Sequence, residues 1–385
     1  TAKMKRGNSL NEKEVAEIRR RFNPQKTNII GVHGCYVNEN REIVAEFNQP
    51  LAALTQDETE SMLALLKKLL SGGLDRNLID IEFSNEQVLG GEEHKRLLKL
   101  RDSALCDEPE LKALFSDIIE TVRVEGAYLI LAAADNYDVF TYREDGKKDE
   151  DSTELFKYFL CGVFPVKMTK PQLSFAAFDN TFKNIVANSV ITAPLLGFMF
   201  PAFDDRAANI YNALFYTKDS AANNSEIIDR LFKAEPPMPA AEQRETFNSL
   251  LNGVTNDENN LEIIKNIQDE IGGMITEHKE SREREPLAVS RDDICDILRS
   301  ADMADEKIET FKAGFDESFG EKARLNPQNL VETKRLELTG ADISIKINPE
   351  RSELVETRVI DGVKYILIRA DEEIEVNGVP INIGE

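Results

Sequence analysis

Cysteine is scarce and unclustered: Cys35, Cys106, Cys161 and Cys295 lie far apart with no C-x-x-C pair. That spacing excludes a disulfide framework and a zinc knuckle, and it points to a reducing cytosol. Histidine is scarcer still, at 3 residues. Motifs that announce chemistry are also missing. Gly314 and Gly320 stand one residue too far apart for a phosphate loop, Lys322 is misplaced for it, and no H-E-x-x-H, G-x-S-x-G or EF-hand pattern occurs. These absences exclude the families that use those motifs, and no cofactor is implied. The first residues are polar and carry no apolar signal core, so export is not expected. The longest uncharged window, residues 184–203, contains Asn184, Asn188, Ser189, Thr192, Pro194 and Pro201. It reads as buried loop and strand, not as a membrane span.

What is present is globular: hydrophobic residues make up 41% and charged residues 30% of 385. At about 150 residues per domain, two or three domains are expected. Acidic residues outnumber basic ones 70 to 47, for a net charge of −23. The bulk surface should therefore repel nucleic acid and anionic membrane. Residues 1–27 depart from this, with Lys3, Lys5, Arg6, Lys13, Arg19, Arg20, Arg21 and Lys26 against Glu12, Glu14 and Glu17. This basic arm is the place where DNA could bind, through Arg19, Arg20 and Arg21. Those three also close a helix, where the dipole favours cations without any partner.

Along the chain, Asn11 to Arg21 reads as a short helix ended by Asn23-Pro24. Strands at Ile29 to Val37 and Ile43 to Phe47 make a hairpin across Asn38 to Arg41. Thr55 with Glu58 is a capping box for a helix with Met62, Leu65, Leu66, Leu69 and Leu70 at helical spacing. A strand at Leu78 to Phe83, a cap at Ser84 with Gln87, and a helix begun by Pro109 follow. Gly126 opens an apolar strand, and Val139 to Tyr142 and Leu155 to Val166 complete the β content around Asp145-Gly146. After Phe178 the pattern turns helical: one helix capped by Asp204 or Asp205 runs to about Thr217, and others begin at Ile227, Pro239, Leu261 and Ser290. Ile308, Phe311, Phe315 and Phe319 mark a last helix that stops at Gly320. From Lys334 the period becomes two, with turns at Asp361-Gly362 and Asn377-Gly378, so a small antiparallel sheet is expected.

Few residues offer themselves for chemistry. His33 and Cys35 share a strand face and could supply two metal ligands, but no third is placed, so no metal site is assigned. His94, in a charged stretch, reads as solvated, and His278 borders a core stripe. The most unusual segment is Leu195 to Arg206. Its bulky apolar groups belong either to the core or to a self-association surface, and it ends in Asp204-Asp205-Arg206. Those three could serve as acid, base and anion holder, or simply suit a helix start. On the expected helix Asp205, Asn209, Asn212 and Tyr216 form a polar stripe, with Ala207, Ile210, Tyr211 and Leu214 facing inward.

The blocks Glu14 to Phe22, Gly34 to Asn48, Leu195 to Tyr216, Pro236 to Phe247 and Val355 to Ile368 resemble an uncharacterised bacterial family known as a domain of unknown function. That resemblance implies no activity and no catalytic residues. More distantly, the order of elements is similar to the bacterial nucleoid-associated protein family (NdpA-like), which implies a cytosolic protein that associates with DNA. The expected molecule is α+β in three parts: a mixed-sheet domain over 1–178, a helical domain over 179–325 and a small antiparallel β domain over 326–385. The expected function is binding or scaffolding in the bacterial cytoplasm. The partner is DNA, another protein or a second copy, and not a membrane. The alternatives are a hydrolase or transferase using Asp204, Asp205 and Arg206, and an interaction module for a basic protein.

Overall fold

The computed structural model describes residues 11–142, 148–176, 178, 180–185, 189–255, 260–281, 286–333, 335–370, 374–376 and 379–381. Lys3, Lys5 and Arg6 and the turns at Asp145-Gly146 and Asn377-Gly378 lie outside the described residues. Contacts divide the chain into two compact units, residues 1–239 with 284–286 and residues 240–283 with 287–385. The division thus runs at 239/240, whereas the sequence reading changes part at 178 and 325.

In the first unit the chain runs α1 (Glu12–Arg19), β1 (Gly31–Val37), β2 (Ile43–Pro50), α2 (Gln56–Lys67), β3 (Leu78–Glu82), α3 (Asn85–Gly90), α4 (Glu92–Asp102) and α5 (Glu108–Thr121). The long strands β4 (Tyr128–Tyr142) and β5 (Lys148–Met168) follow, then β6 (Gln172–Ala176), β7 (Thr181–Ile185), β8 (Ser189–Ile191), β9 (Leu196–Phe200), β10 (Ala202–Asp204), β11 (Ala207–Asn209), β12 (Asn212–Thr217) and α6 (Ser225–Phe232). The main sheet has the order β2-β1-β4-β5-β9-β12-β3, with β8 on β5. The class is α+β as expected, but the sheet is antiparallel at every strand pair where a mixed sheet was expected. Hairpins join β1 to β2 and β4 to β5, and the longer returns also reverse direction.

Both faces of this sheet are covered. Val15 and Ile18 of α1 and Leu63 and Leu66 of α2 pack against Leu131, Leu160 and Leu214 on one side. Leu97 and Leu100 of α4, Phe115 and Ile118 of α5 and Phe232 of α6 pack against Ile130, Phe159 and Phe215 on the other. The capping box begins α2 as the sequence requires, with Thr55 N–H donating to Glu58 Oε2 at 2.8 Å. Just after α2, Leu69 presses onto the sheet where Gly162 and Gly197 face each other across β5 and β9. A Cβ on Gly197 would stand 2.5 Å from the Cys161 carbonyl oxygen, which is backbone and cannot give way, so this approach requires glycine.

The helix expected from Asp204 or Asp205 to Thr217 does not form. Asp204 pairs with Ala207 across a tight turn in which Asp205 (φ 47°) and Arg206 (φ 57°) are left-handed. The chain then enters β12, an interior strand between β9 and β3. Ala213 and Phe215 reach one core while Leu214 and Tyr216 reach the other, an alternation of period two. Burial on both faces makes such a strand apolar at successive positions, which imitates a helix stripe. The helical character expected after Phe178 therefore begins only at α6. Residues 189–203 are strand and loop as read, and Phe198, Phe200 and Phe203 are buried, so this segment is core. Among the described residues no helix is long and apolar enough to cross a membrane.

The second unit opens with α7 (Ala240–Thr255), α8 (Asn260–Ser281), β13 (Val289–Ser290), α9 (Arg291–Ser300), α10 (Asp305–Phe319), β14 (Arg324–Leu325) and α11 (Pro327–Leu330). Gly272-Gly273 leaves α8 unbroken, and Ser290 caps α9 through a box with Asp293. Phe247, Ile267, Ile271, Ile294, Leu298, Ile308, Phe311 and Phe315 form its core, with Phe319 partly buried against it. The carboxy-terminal strands pair as β15 (Leu336–Thr339) with β16 (Ser344–Ile347), β17 (Val355–Ile360) with β18 (Val363–Ile368), and β19 (Ile374–Val376) with β20 (Val379–Ile381). They are separate hairpins where one small sheet was expected. Val359, Val363 and Ile366 on β17 and β18 are exposed.

Candidate functional site

The β10–β11 turn carries the acid and base candidates, and α1 holds it. Asn11 caps α1 by accepting from Glu14 N–H at 2.9 Å, and its amide donates to Glu14 Oε2 at 2.6 Å. The other Glu14 oxygen accepts from the Arg206 backbone N–H at 3.1 Å. Arg206 donates from its guanidinium to Glu17 Oε2 at 2.7 Å, and Tyr137 donates its hydroxyl to the other Glu17 oxygen. Arg206 is therefore committed inward, to a helix 189 residues earlier in the chain. Asp205 is exposed at the turn.

Asp204 has partners other than those of Arg206 and starts a polar chain. Its Oδ2 accepts from Asn209 Nδ2 at 3.2 Å, and that amide also reaches Asn212 Oδ1 at 2.9 Å. Asn212 Nδ2 then donates to both oxygens of Asp80 at 2.8 and 2.9 Å. Burial raises the pKa of Asp204 and pushes that of Asp80 up to about 6, with the Asn209 and Asn212 amides opposing those shifts. Burial likewise raises Glu14, and the nearby charges of Asp204 and Asp205 add to it. The structure thus brings Asp204, Asn209 and Asn212 together, leaves Asp205 in solvent and sends Arg206 to α1. Tyr216 joins none of them, being buried in the core beneath α2. Asp80, Glu14 and Glu17 escaped the sequence reading because the pairing of β12 with β3 and the docking of α1 are long-range. Among the described residues no group of three or more His, Cys, Asp or Glu side chains is arranged to hold a metal ion.

The basic cluster is likewise turned inward. Arg19 donates from Nε to the Leu70 carbonyl and from its Nη2 to the Gly72 carbonyl at 3.0 Å, and burial lowers its pKa. Arg21 lies 4.9 Å over the Tyr137 ring and 3.5 Å from buried Asp135. Arg20 alone of the three is exposed. Asp135 is a buried hub that sequence reasoning missed. It accepts from Asn28 N–H at 2.8 Å and Tyr158 hydroxyl at 2.9 Å, and its position at the end of the apolar run Leu129 to Ala134 was the available signal.

His94 corrects another expectation. It is 1% exposed, its Nε2–H donates to the Ile210 carbonyl at 2.8 Å, and its ring meets Phe83 and Phe200 edge-on. Charged neighbours on α4 mask its place on a buried stripe with Leu97 and Leu100. On this same helical side a cavity of about 380 Å³ is walled by α4, α5 and α6. Its walls are charged and mutually neutralised. Arg96 and Arg230 converge on Asp117 at 2.6 and 2.7 Å, Lys99 meets Glu110 at 2.7 Å, and Lys95 meets Glu92 at 2.8 Å. The turn with Asp204 packs on the opposite face, with α1 and α2, so acid, base and cavity do not converge.

Residues 10–379 match the family model described as Domain of unknown function (DUF4317). No curated protein matches the chain.

Proposed function

The chain belongs to the DUF4317 family, and from the arrangement of its residues we propose a binding or scaffolding protein of the bacterial cytoplasm, not a hydrolase or transferase. One observation carries this reading. Asp204 and Arg206 point to separate partners across a tight turn, and the charged cavity lies on the other face of the sheet. A catalytic site needs its groups aimed at one point. The free thiols Cys35, Cys106, Cys161 and Cys295 support a reducing compartment.

The partner proposed is a protein. Duplex DNA is disfavoured by a net charge of −23 and by the inward commitment of Arg19 and Arg21. A nucleoid role would have to rest on exposed cations such as Arg20. The test is a duplex titration at low and physiological salt, with Arg20→Glu alongside. Arg20 is the position reversed because Arg19 and Arg21 are held by the Leu70 and Gly72 carbonyls and by Asp135, and reversing them would disturb α1. Expected is weak binding that disappears with salt, with a log–log slope of about −1 to −3 for one to three phosphate contacts. Tight binding at physiological salt that Arg20→Glu removes would overturn the protein-partner reading. Turnover of any phosphate or acyl ester that Asp204→Asn abolishes would overturn the non-catalytic one.

A further inference from the structure

The β6–β7 hairpin forms a two-stranded sheet of its own, with Phe175 opposite Phe182. Opposed residues, and residues two apart on one strand, share a face, so Leu173, Phe175 and Phe182 make one apolar face. Nothing covers it among the described residues. Leu173 and Phe182 are each 69% exposed, Phe175 is 54% exposed, and Phe178 in the turn is 101% exposed. The Phe175 and Phe182 rings, 5.3 Å apart, meet each other and not a core. A lone two-stranded hairpin is marginal in water, so this one wants a surface to lie on.

Charge says what kind of surface. Residues 167–192 contain Lys167, Lys170 and Lys183 against Asp179 alone, in a chain with 70 acids among 385 residues. The hairpin itself, with Lys183 and Asp179, is neutral, and exposed Lys167 and Lys170 stand at its root. The same unit offers a matching feature in β2, which ends the main sheet with its outer edge unpaired among the described residues. Every residue from Arg41 to Asn48 is exposed, including Ile43, Val44 and Phe47. Ile43 and Phe47 share one face of the strand, Val44 shares the other with Glu46, which also meets Lys112 at 3.3 Å, and Glu42 precedes the strand. Exposed apolar edge strands invite another strand, and main-chain bonding to such an edge is a recurrent mode of recognition.

We propose that the β6–β7 hairpin is an association arm whose occupant is the β2 edge of a second copy of this chain, each copy lending one arm and receiving one. Val37 pairs with Ile43 and with Tyr128, and Tyr128 pairs with Pro165, so β2 begins at the sheet end from which the arm departs. Arm and edge therefore lie at one end of each sheet, and a single two-fold axis closes both contacts. Lys167 and Lys170 at the root of the arm then approach Glu42 and Glu46 of the second copy, and the apolar faces leave water.

The proposal rests on the binding reading above, yet it fails separately, because a monomeric protein leaves the DNA and turnover results as they stand. The test is sedimentation velocity of the full chain across a concentration series. Wild type is expected to dimerise. An arm variant (Phe175→Asp with Phe182→Asp) and an edge variant (Ile43→Lys with Val44→Lys) are each expected to weaken the dimer by about 30-fold or more, since a few central anchors dominate such contacts. These positions are exposed, so circular dichroism and the unfolding midpoint should not change. Mixing the two variants restores one intact arm-to-edge contact and should yield a heterodimer that neither forms alone. A monomer at every concentration, a dimer insensitive to both variants, or a mixture that stays monomeric would overturn the proposal. So would a monomer that binds anionic vesicles or duplex DNA through the arm.

Discussion

Asp80 illustrates how much of this molecule depends on single side chains that the chain order does not bring together. Its carboxyl is pushed up to about 6 by burial, against the Asn212 amide and with help from Asp75, Glu82 and Asp204. Folding disfavours the charged form. The contribution of this group to stability is therefore complete below its ordinary 3.8 and is lost as pH rises through about 6. Asp80→Asn keeps an oxygen for Asn212 and removes the charge. The variant should be more stable than wild type by about 2 kcal/mol at neutral pH and no more stable near pH 4. Denaturant midpoints at the two pH values check this, and a gain that persists in acid would show that charge is not the cause. At this scale the candidate site was half legible. Asp204, Asn209 and Asn212 do gather, but through a turn and a strand pairing, with Asp80 as the member the sequence hides.

Helices with strong local signals matched their reading, and α10 shows why. Ile308, Phe311 and Phe315 fall at helical spacing, all are buried, and Gly320 (φ 95°) ends the helix. Phe315 is wholly buried, with its ring 6.2 Å from Phe311 and 4.9 Å from Phe319. Phe315→Ala should cost about 3–5 kcal/mol, and Phe319→Ala, at the partly buried edge of this core, less. Urea unfolding of the two variants decides it, and equal losses would contradict the assignment of the core. The β10 to β12 region went the other way. A two-residue left-handed turn at Asp205-Arg206 has none of the glycine or asparagine that marks such turns, and an interior strand loses the polar alternation by which strands are recognised.

Across the whole molecule, charge sets the conditions under which the fold is most stable. A net −23 repels itself, and raising salt shortens the screening length from about 30 Å at 0.01 M to about 8 Å at physiological strength. The unfolding midpoint should rise by roughly 2–4 °C over that range, equivalent to about 1 kcal/mol. Thermal scans at the two salt concentrations test this, and a falling midpoint would mean that internal pairs such as Arg230 with Asp117 outweigh the repulsion. The sequence by itself determined the α+β class, the capped helices and the hairpins, because caps, turns and periodicity act over a few residues. Only the tertiary structure decided that the sheet is antiparallel with both faces covered, that Arg19, Arg21 and Arg206 are tethers, and that His94 is core. Each of those outcomes depends on which distant segment packs beside a residue. Hydrophobic burial and strand pairing select that neighbour, and no local pattern encodes it.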